Sequence, residues 1–319
     1  MEDKIMSMRE AVKKFVRDED YLLAHISPEA GPDAFVNEII RQKKKNLTVI
    51  TTSALLGVDK LVGSGCVRHL ITSYCGSEFA GINRCLERAL TQGIPNKIEI
   101  EDYSHFTLSL ALMAGAMGIP FIPGKSLLGS DIIHYRTIMG DKKLKVIEDP
   151  FKGGKVVLIP AINPDVGIFH AQLADNEGNV QYWGTARGIK WEAFSCKKII
   201  FSVEEIVDSE IIRRNPFLTI VPSFRVNAIV HEPWGAHPCS LVGYYDMDKI
   251  FMLLYNRLSE NVEGFEKFMD EWVYGVENRT EYIEHYIKKF GYARLRSLIP
   301  KPLYSFPINC GLYLERDKL

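Results

Sequence analysis

Two hydrophobic periods alternate along most of this chain. Apolar, β-branched runs at 21–26 and 47–52 predict strands, and between them Phe35, Val36, Ile39 and Ile40 fall on one face of a helix over 32–41. Pro32 or Asp33 suits the start of that helix. The same reading gives a strand over 67–74 and a helix over 79–91 stopped by Gly93 and Pro95. Further strands are predicted at 97–100, 155–159, 166–170, 198–203 and 228–231. An apolar, helix-like segment over 106–117 follows a strand through the turn Tyr103-Ser104-His105. Strands alternating with helices predict an α/β fold, a largely parallel sheet with helices on both faces.

Two regions break the alternation. The segment 140–154 is charged and rich in turn formers, so it reads as a loop or flap. From about 247 the pattern turns helical, with Phe251, Leu253, Leu254, Phe265, Phe268, Met269 and Trp272 as candidate buried faces. With no internal repeat or low-complexity segment, the expectation is a single domain over 1–319 carrying a helical C-terminal extension.

Composition narrows the function classes. The 319 residues are 46% hydrophobic and 25% charged, with a formal net charge of -1, which gives no long-range pull toward nucleic acid or an acidic membrane. The basic run at 41–45 suits the C-terminal end of a helix, where cations oppose the dipole. Residues 1–20 are charged from Glu2 onward and lack the apolar core of a signal peptide. No uncharged apolar run approaches the roughly 18 residues of a membrane span. Cys66, Cys75, Cys85, Cys196, Cys239 and Cys310 form no C-x-x-C pair and are expected to be buried free thiols of a cytoplasmic protein. No metal site is expected.

Familiar motifs fail on inspection. Gly63-Ser64-Gly65 begins like a dinucleotide fingerprint, but Arg68 stands where the third glycine belongs. In His231-Glu232-Pro233-Trp234-Gly235-Ala236-His237 the second histidine comes two residues late for a zinc helix, and Pro233 breaks the helix. There is no phosphate-binding glycine loop and no G-x-S-x-G elbow.

One ordered set of segments does point to a family. Ile100-Glu101-Asp102-Tyr103-Ser104-His105 runs into 106–117 and then Gly118-Ile119-Pro120-Phe121-Ile122-Pro123. Asp149-Pro150-Phe151-Lys152, Asn163-Pro164-Asp165-Val166, His170-Ala171-Gln172-Leu173-Ala174-Asp175 and Glu177-Gly178-Asn179-Val180 follow. Tyr182-Trp183-Gly184, 202–207, Trp234-Gly235-Ala236-His237-Pro238 and Tyr244-Tyr245-Asp246 complete the set. In order and spacing the chain resembles the alpha-type half of the family I CoA-transferases, and most closely the glutaconate-type alpha subunits.

The resemblance implies half an enzyme. In that family the attacking carboxylate sits in a Ser-Glu-Asn-Gly motif of the beta-type half, which this chain lacks; Asn176-Glu177-Gly178 belongs to an alpha-type turn. A beta-type partner with the catalytic Glu is therefore expected, with a CoA thioester and a carboxylic acid as substrates and no permanently bound cofactor. The resemblance places His105 at the reacting thioester as an oxyanion donor, where relatives usually carry Gln. A neutral amide only exchanges hydrogen bonds, whereas imidazole also carries a proton. From residue type alone, His105 reads equally as a cap or core histidine of the following helix.

His25, Ser53, Tyr103, Ser104, Gly129, Ser130 and Asp131 are the substrate-binding candidates that go with it. Successive N–H groups at 129–131 would suit a carboxylate. Ala24 and His25 stand where the family carries two glycines, which narrows the expected pocket. Glu101 and Asp102 are expected to tie down the turn, and His170, Gln172 and His237 to stabilise the core or a subunit boundary. Adjacent carboxylates on a strand face opposite ways, so Glu101 and Asp102 form no acid/base pair. Three functions compete: CoA transfer between carboxylic acids, CoA-thioester hydrolysis with His105 as general base, and acyl-CoA binding without turnover.

Overall fold

A computed structural model describes residues 4–76, 80–185 and 188–300. The chain opens with α1 (Met8–Phe15), β1 (Tyr21–Ala24), α2 (Asp33–Arg41), β2 (Leu47–Ile50), α3 (Leu56–Gly63), β3 (Val67–Thr72), α4 (Arg84–Thr91) and β4 (Glu99–Asp102). Next come α5 (His105–Met117), β5 (Phe121–Gly124), β6 (Lys145–Glu148), β7 (Lys155–Pro160), β8 (Val166–Asp175) and β9 (Val180–Gln181). Then follow α6 (Ile189–Ser195), β10 (Lys198–Val207), α7 (Ser209–Arg214), β11 (Thr219–Val221) and β12 (Ala228–His231). Four helices close the chain: α8 (Lys249–Leu258), α9 (Val262–Met269), α10 (Arg279–Phe290) and α11 (Tyr292–Leu298).

The main sheet is the predicted parallel one. Strands β12, β10, β8, β1, β2, β3 and β4 lie side by side and all run the same way. Leu23 pairs with Ile50 on one side and Gly167 on the other, and both β2 and β8 are buried along their whole length. Such strands read as continuous apolar runs because helices cover both faces. Only β9 and β11 join antiparallel, on the far half of β8.

Among the differences from the sequence reading, three stand out. The last strand of the row spans 99–102 rather than 97–100, and α4 starts at Arg84 rather than 79, Phe79 lying outside the described residues. The third difference is a new element. The 140–154 segment contains β6, which pairs antiparallel with β7; β5 pairs on β7's other edge to make a separate three-stranded sheet. All four residues of β6 are exposed, so no buried face marked it as a strand in the sequence.

Local capping sets the helix ends. Ser7 and Glu10 form a reciprocal capping box on α1, and α5 stops at Gly118, whose φ of 69° favours glycine. The C-terminal helices pack their aromatic faces together. Phe251 meets Trp272 edge-on at 4.8 Å and 88°, and Trp272 stacks on Phe290 at 5.9 Å. Contacts of this kind add about 0.5–1.5 kcal/mol each beyond burial.

The extension is tied down by Asp248, whose side chain is 1% exposed. Its carboxylate caps α8 by accepting from the Phe251 N–H at 3.2 Å. It also accepts from Tyr286 and from Arg294 at 2.6 Å, and His237 Nε2 lies 3.4 Å away. Burial alone would raise the Asp248 pKa, but His237, Tyr286 and Arg294 outweigh it and hold the carboxyl well below its ordinary range. Burial lowers the His237 pKa, with Asp248 opposing and Arg279 assisting.

Candidate active site

The turn after β4 is built to hold one exposed side chain still. Glu101 is fully buried; its Oε2 accepts from the backbone N–H groups of Ile138 and Met139 at 2.7 and 2.9 Å. The Lys143 ammonium lies 2.7 Å from the other oxygen, and both side chains are 0% exposed. Asp102 faces outward, as strand alternation requires. Tyr103 is buried with the Lys143 ammonium 5.1 Å over its ring. Ser104 caps α5: its Oγ accepts from the Thr107 N–H at 3.2 Å and contacts the Thr107 and Ser126 hydroxyls at 2.7 and 2.8 Å. Tyr103 and Ser104, expected to bind substrate, are thus committed to the turn itself.

His105 is the first residue of α5 and is exposed. Its Nδ1 lies 3.3 Å from Ser73 Oγ, at the end of the neighbouring strand β3. Ser73 in turn donates its hydroxyl to the Thr52 carbonyl at 2.6 Å, beyond the end of β2. A hydroxyl has one proton to give. With that proton on Thr52, Ser73 Oγ is left to accept, so the ring hydrogen belongs on Nδ1. The neutral ring then presents a bare Nε2, which accepts; only the imidazolium donates from that atom. Three adjacent strand ends are therefore joined laterally, and Ser73 on the middle one sets the tautomer of His105.

Other candidates land elsewhere. His25 does not face a ligand space: it is buried, bonded through Nδ1 to the Glu192 carboxylate of α6, with the Phe169 ring 6.3 Å away. At 129–131 the N–H of Ser130 is spent on Leu127 and that of Ile132 on Ser130 Oγ, so the backbone there closes its own turn. Gly129 supplies the positive φ, 80°, and Asp131 is exposed. His170 is buried between Ser202 at 2.8 Å and Glu204 at 2.9 Å. Gln172 donates to the Trp183 and Val242 carbonyls, and His237 bonds Tyr282 at 2.9 Å.

Ser53 does reach a cavity. A space of about 320 Å³ opens beyond the C-terminal ends of β1, β2 and β3, lined there by Ile26, Val36, Ser53, Leu56 and Tyr74 and closed by Met252 and Tyr255 of α8. Asp33 and Asp59 also border it. Lys60 holds Asp33 at 2.5 Å with both side chains buried, and Arg279 approaches at 3.5 Å. Sequence reasoning passed over Ser73, Asp33, Asp59 and Lys60. The last two sit in a helix whose neighbours Leu55, Leu56, Val58, Leu61 and Val62 are apolar all round, the one signal that charges there would be buried. Among the described residues, no group of three or more His, Cys, Asp or Glu is placed to hold a metal ion, and no helix is long and apolar enough to cross a membrane.

Comparison with known proteins places the fold in a family. Residues 5–232 match the coenzyme A transferase family. The chain is 34% identical to the A subunit of the 3-oxoadipate CoA-transferase of Pseudomonas knackmussii, over 88% of this chain and 96% of that one. It is 33% identical to the A subunit of the glutaconate CoA-transferase of Acidaminococcus fermentans, over 96% and 98%. The crystal structure of the Acidaminococcus fermentans glutaconate CoA-transferase superimposes with a TM-score of 0.87 at 32% identity, covering 97% of this chain and 99% of that one. The chain belongs to the coenzyme A transferase family, within which it is an alpha-type subunit.

Proposed function

We propose that this CoA-transferase subunit works with a beta-type partner whose glutamate attacks the acyl-CoA, while His105 steadies the charge that develops. The partner carboxylate adds to the thioester carbonyl carbon, and CoA leaves as thiolate to give a mixed anhydride. The thiolate then attacks the glutamyl carbonyl, releases the first acid and leaves a glutamyl-CoA thioester on the partner. An acceptor acid reverses the sequence. Each addition puts negative charge on a carbonyl oxygen, and a donor aimed at that oxygen is worth about 3–4 kcal/mol.

The observation that carries the reading is the exposed His105 ring on an otherwise fully committed turn, bonded to Ser73. The N-terminal end of α5 adds a partial positive charge favourable to an oxyanion. With Nδ1 tied to Ser73, the ring donates outward from Nε2 as imidazolium. Transfer is favoured over hydrolysis by a His105 base because the two relatives compared above carry transferase names. The same proposal takes a CoA thioester and a carboxylic acid as substrates, with no permanent cofactor, in the cytoplasm. The five described cysteines are unpaired, as suits that compartment.

The test incubates the chain, co-assembled with its beta-type subunit, with an acyl-CoA and no acceptor acid, then weighs both subunits intact. A CoA-sized gain on a partner glutamate supports transfer. Free CoA released without an adduct favours hydrolysis instead. Tight acyl-CoA binding with neither outcome means a non-catalytic subunit.

A further inference from the structure

The cavity beyond β1, β2 and β3 has no assigned ligand. It sits where parallel α/β sheets bind theirs, outside the carboxyl ends of the strands. It also adjoins the reacting turn: wall residues Ser53 and Tyr74 directly follow Thr52 and Ser73, the two residues that link to His105. Building on the transferase reading, we propose that this cavity holds the acyl chain of the thioester and selects an apolar chain with no second charged group.

Both acids of the wall are already engaged. Asp33 is held by Lys60, Arg279 and the Asn37 amide, the last at 3.3 Å. Asp59 accepts from the Leu86 N–H at 2.9 Å and from the Tyr255 hydroxyl at 2.7 Å. Burial raises the Asp59 pKa against those two bonds, and pushes the Cys239 thiol up to about 12, so neither seeks an anion. The Asn83 amide donates to the Ala54 carbonyl at 2.6 Å. Among the described wall residues Lys249 is the one cation, and it stands exposed at the rim.

A distal carboxylate pushed inside would thus lose its water, find only the neutral hydroxyls of Ser53 and Tyr74 as donors, and face two acids. The remaining lining favours hydrocarbon: Ile26, Val36, Leu55, Leu56, Met247 and Met252. Each methylene buried there should tighten binding about fourfold.

A matched pair of six-carbon acids tests this. Titration calorimetry on the full chain should give hexanoate a dissociation constant at least tenfold below that of adipate, which differs only by its far carboxylate. In the assembled enzyme, hexanoyl-CoA should exceed adipyl-CoA in kcat/KM by a similar factor. Leu56→Trp, or Val36→Phe if the first variant melts early, should remove hexanoate binding. Adipate binding as well as hexanoate, or hexanoate binding that survives a folded cavity-filling variant, overturns the proposal. A hexanoyl-CoA preference without a CoA adduct on the partner would sink the transferase reading and leave the cavity intact; an adduct formed best from adipyl-CoA would do the reverse.

Discussion

His105 and His237 are placed alike and end differently. Each stands next to a hydroxyl and near the start of a helix. His237 is enclosed, with one ring nitrogen on Tyr282, the other facing Asp248, and a pKa lowered by burial. His105 spends one nitrogen on Ser73 and keeps the other in solvent. The difference teaches that a histidine becomes chemically useful here through the bond it does not make. The C-terminal knot satisfies every partner and gains rigidity, whereas the turn after β4 satisfies every partner but one.

That contrast is open to attack from both sides. The largest expected effect is on the knot: Asp248→Ala leaves Arg294 and two helices without their anchor, and should cost about 3–5 kcal/mol of stability. Denaturant titration checks it, and a loss below about 1 kcal/mol would mean the knot is ornamental. Next, His105→Ala should slow CoA transfer by about 100-fold or more, near 3 kcal/mol, with an unchanged melting temperature. His105→Gln, a neutral donor, should retain most of the rate. A Gln variant as inactive as the Ala variant would instead favour general-base chemistry.

Ser73→Ala should have a smaller effect, about 1 kcal/mol on the barrier, the worth of one hydrogen bond. Its signature is a changed tautomer, read from the ring nitrogen shifts of His105 by NMR. The smallest effect is a slope. Because His237 is held neutral in the fold, the unfolded chain takes its proton first, near the ordinary histidine value of about 6.5. Stability should therefore fall as pH drops through that value toward the lower folded one. A second loss should follow below about pH 4 as Asp248, whose folded pKa is depressed, is protonated. Melting curves from pH 7.5 to 5 check the first part, and His237→Gln should flatten it.

How legible this was depended on distance along the chain. The parallel strands announced themselves because both faces are buried, so each is a short apolar run with turn formers at its ends. Strand β6 did not, because Val146 and Ile147 pack on no core and charged residues flank them. His105 was legible from an ordered motif, but its orientation was not: Thr52, Ser73 and His105 meet only through the lateral pairing of three strands. His25 misled because its position beside a missing glycine pair suggested a pocket, while strand alternation sends it toward α6 and leaves Ile26 to the cavity.

The helix that Asp248 caps also carries Met252 and Tyr255, and so forms one wall of the chamber at the strand ends. That wall lies beyond residue 232, past the segment matched to the family, while the reacting turn lies within it. One wall of the chamber is therefore written in a stretch of sequence apart from the reacting turn, and most of the rest in the same stretch as that turn. If the chamber takes the acyl chain as proposed, substitutions at Met252 and Tyr255 would reshape it from outside the matched segment.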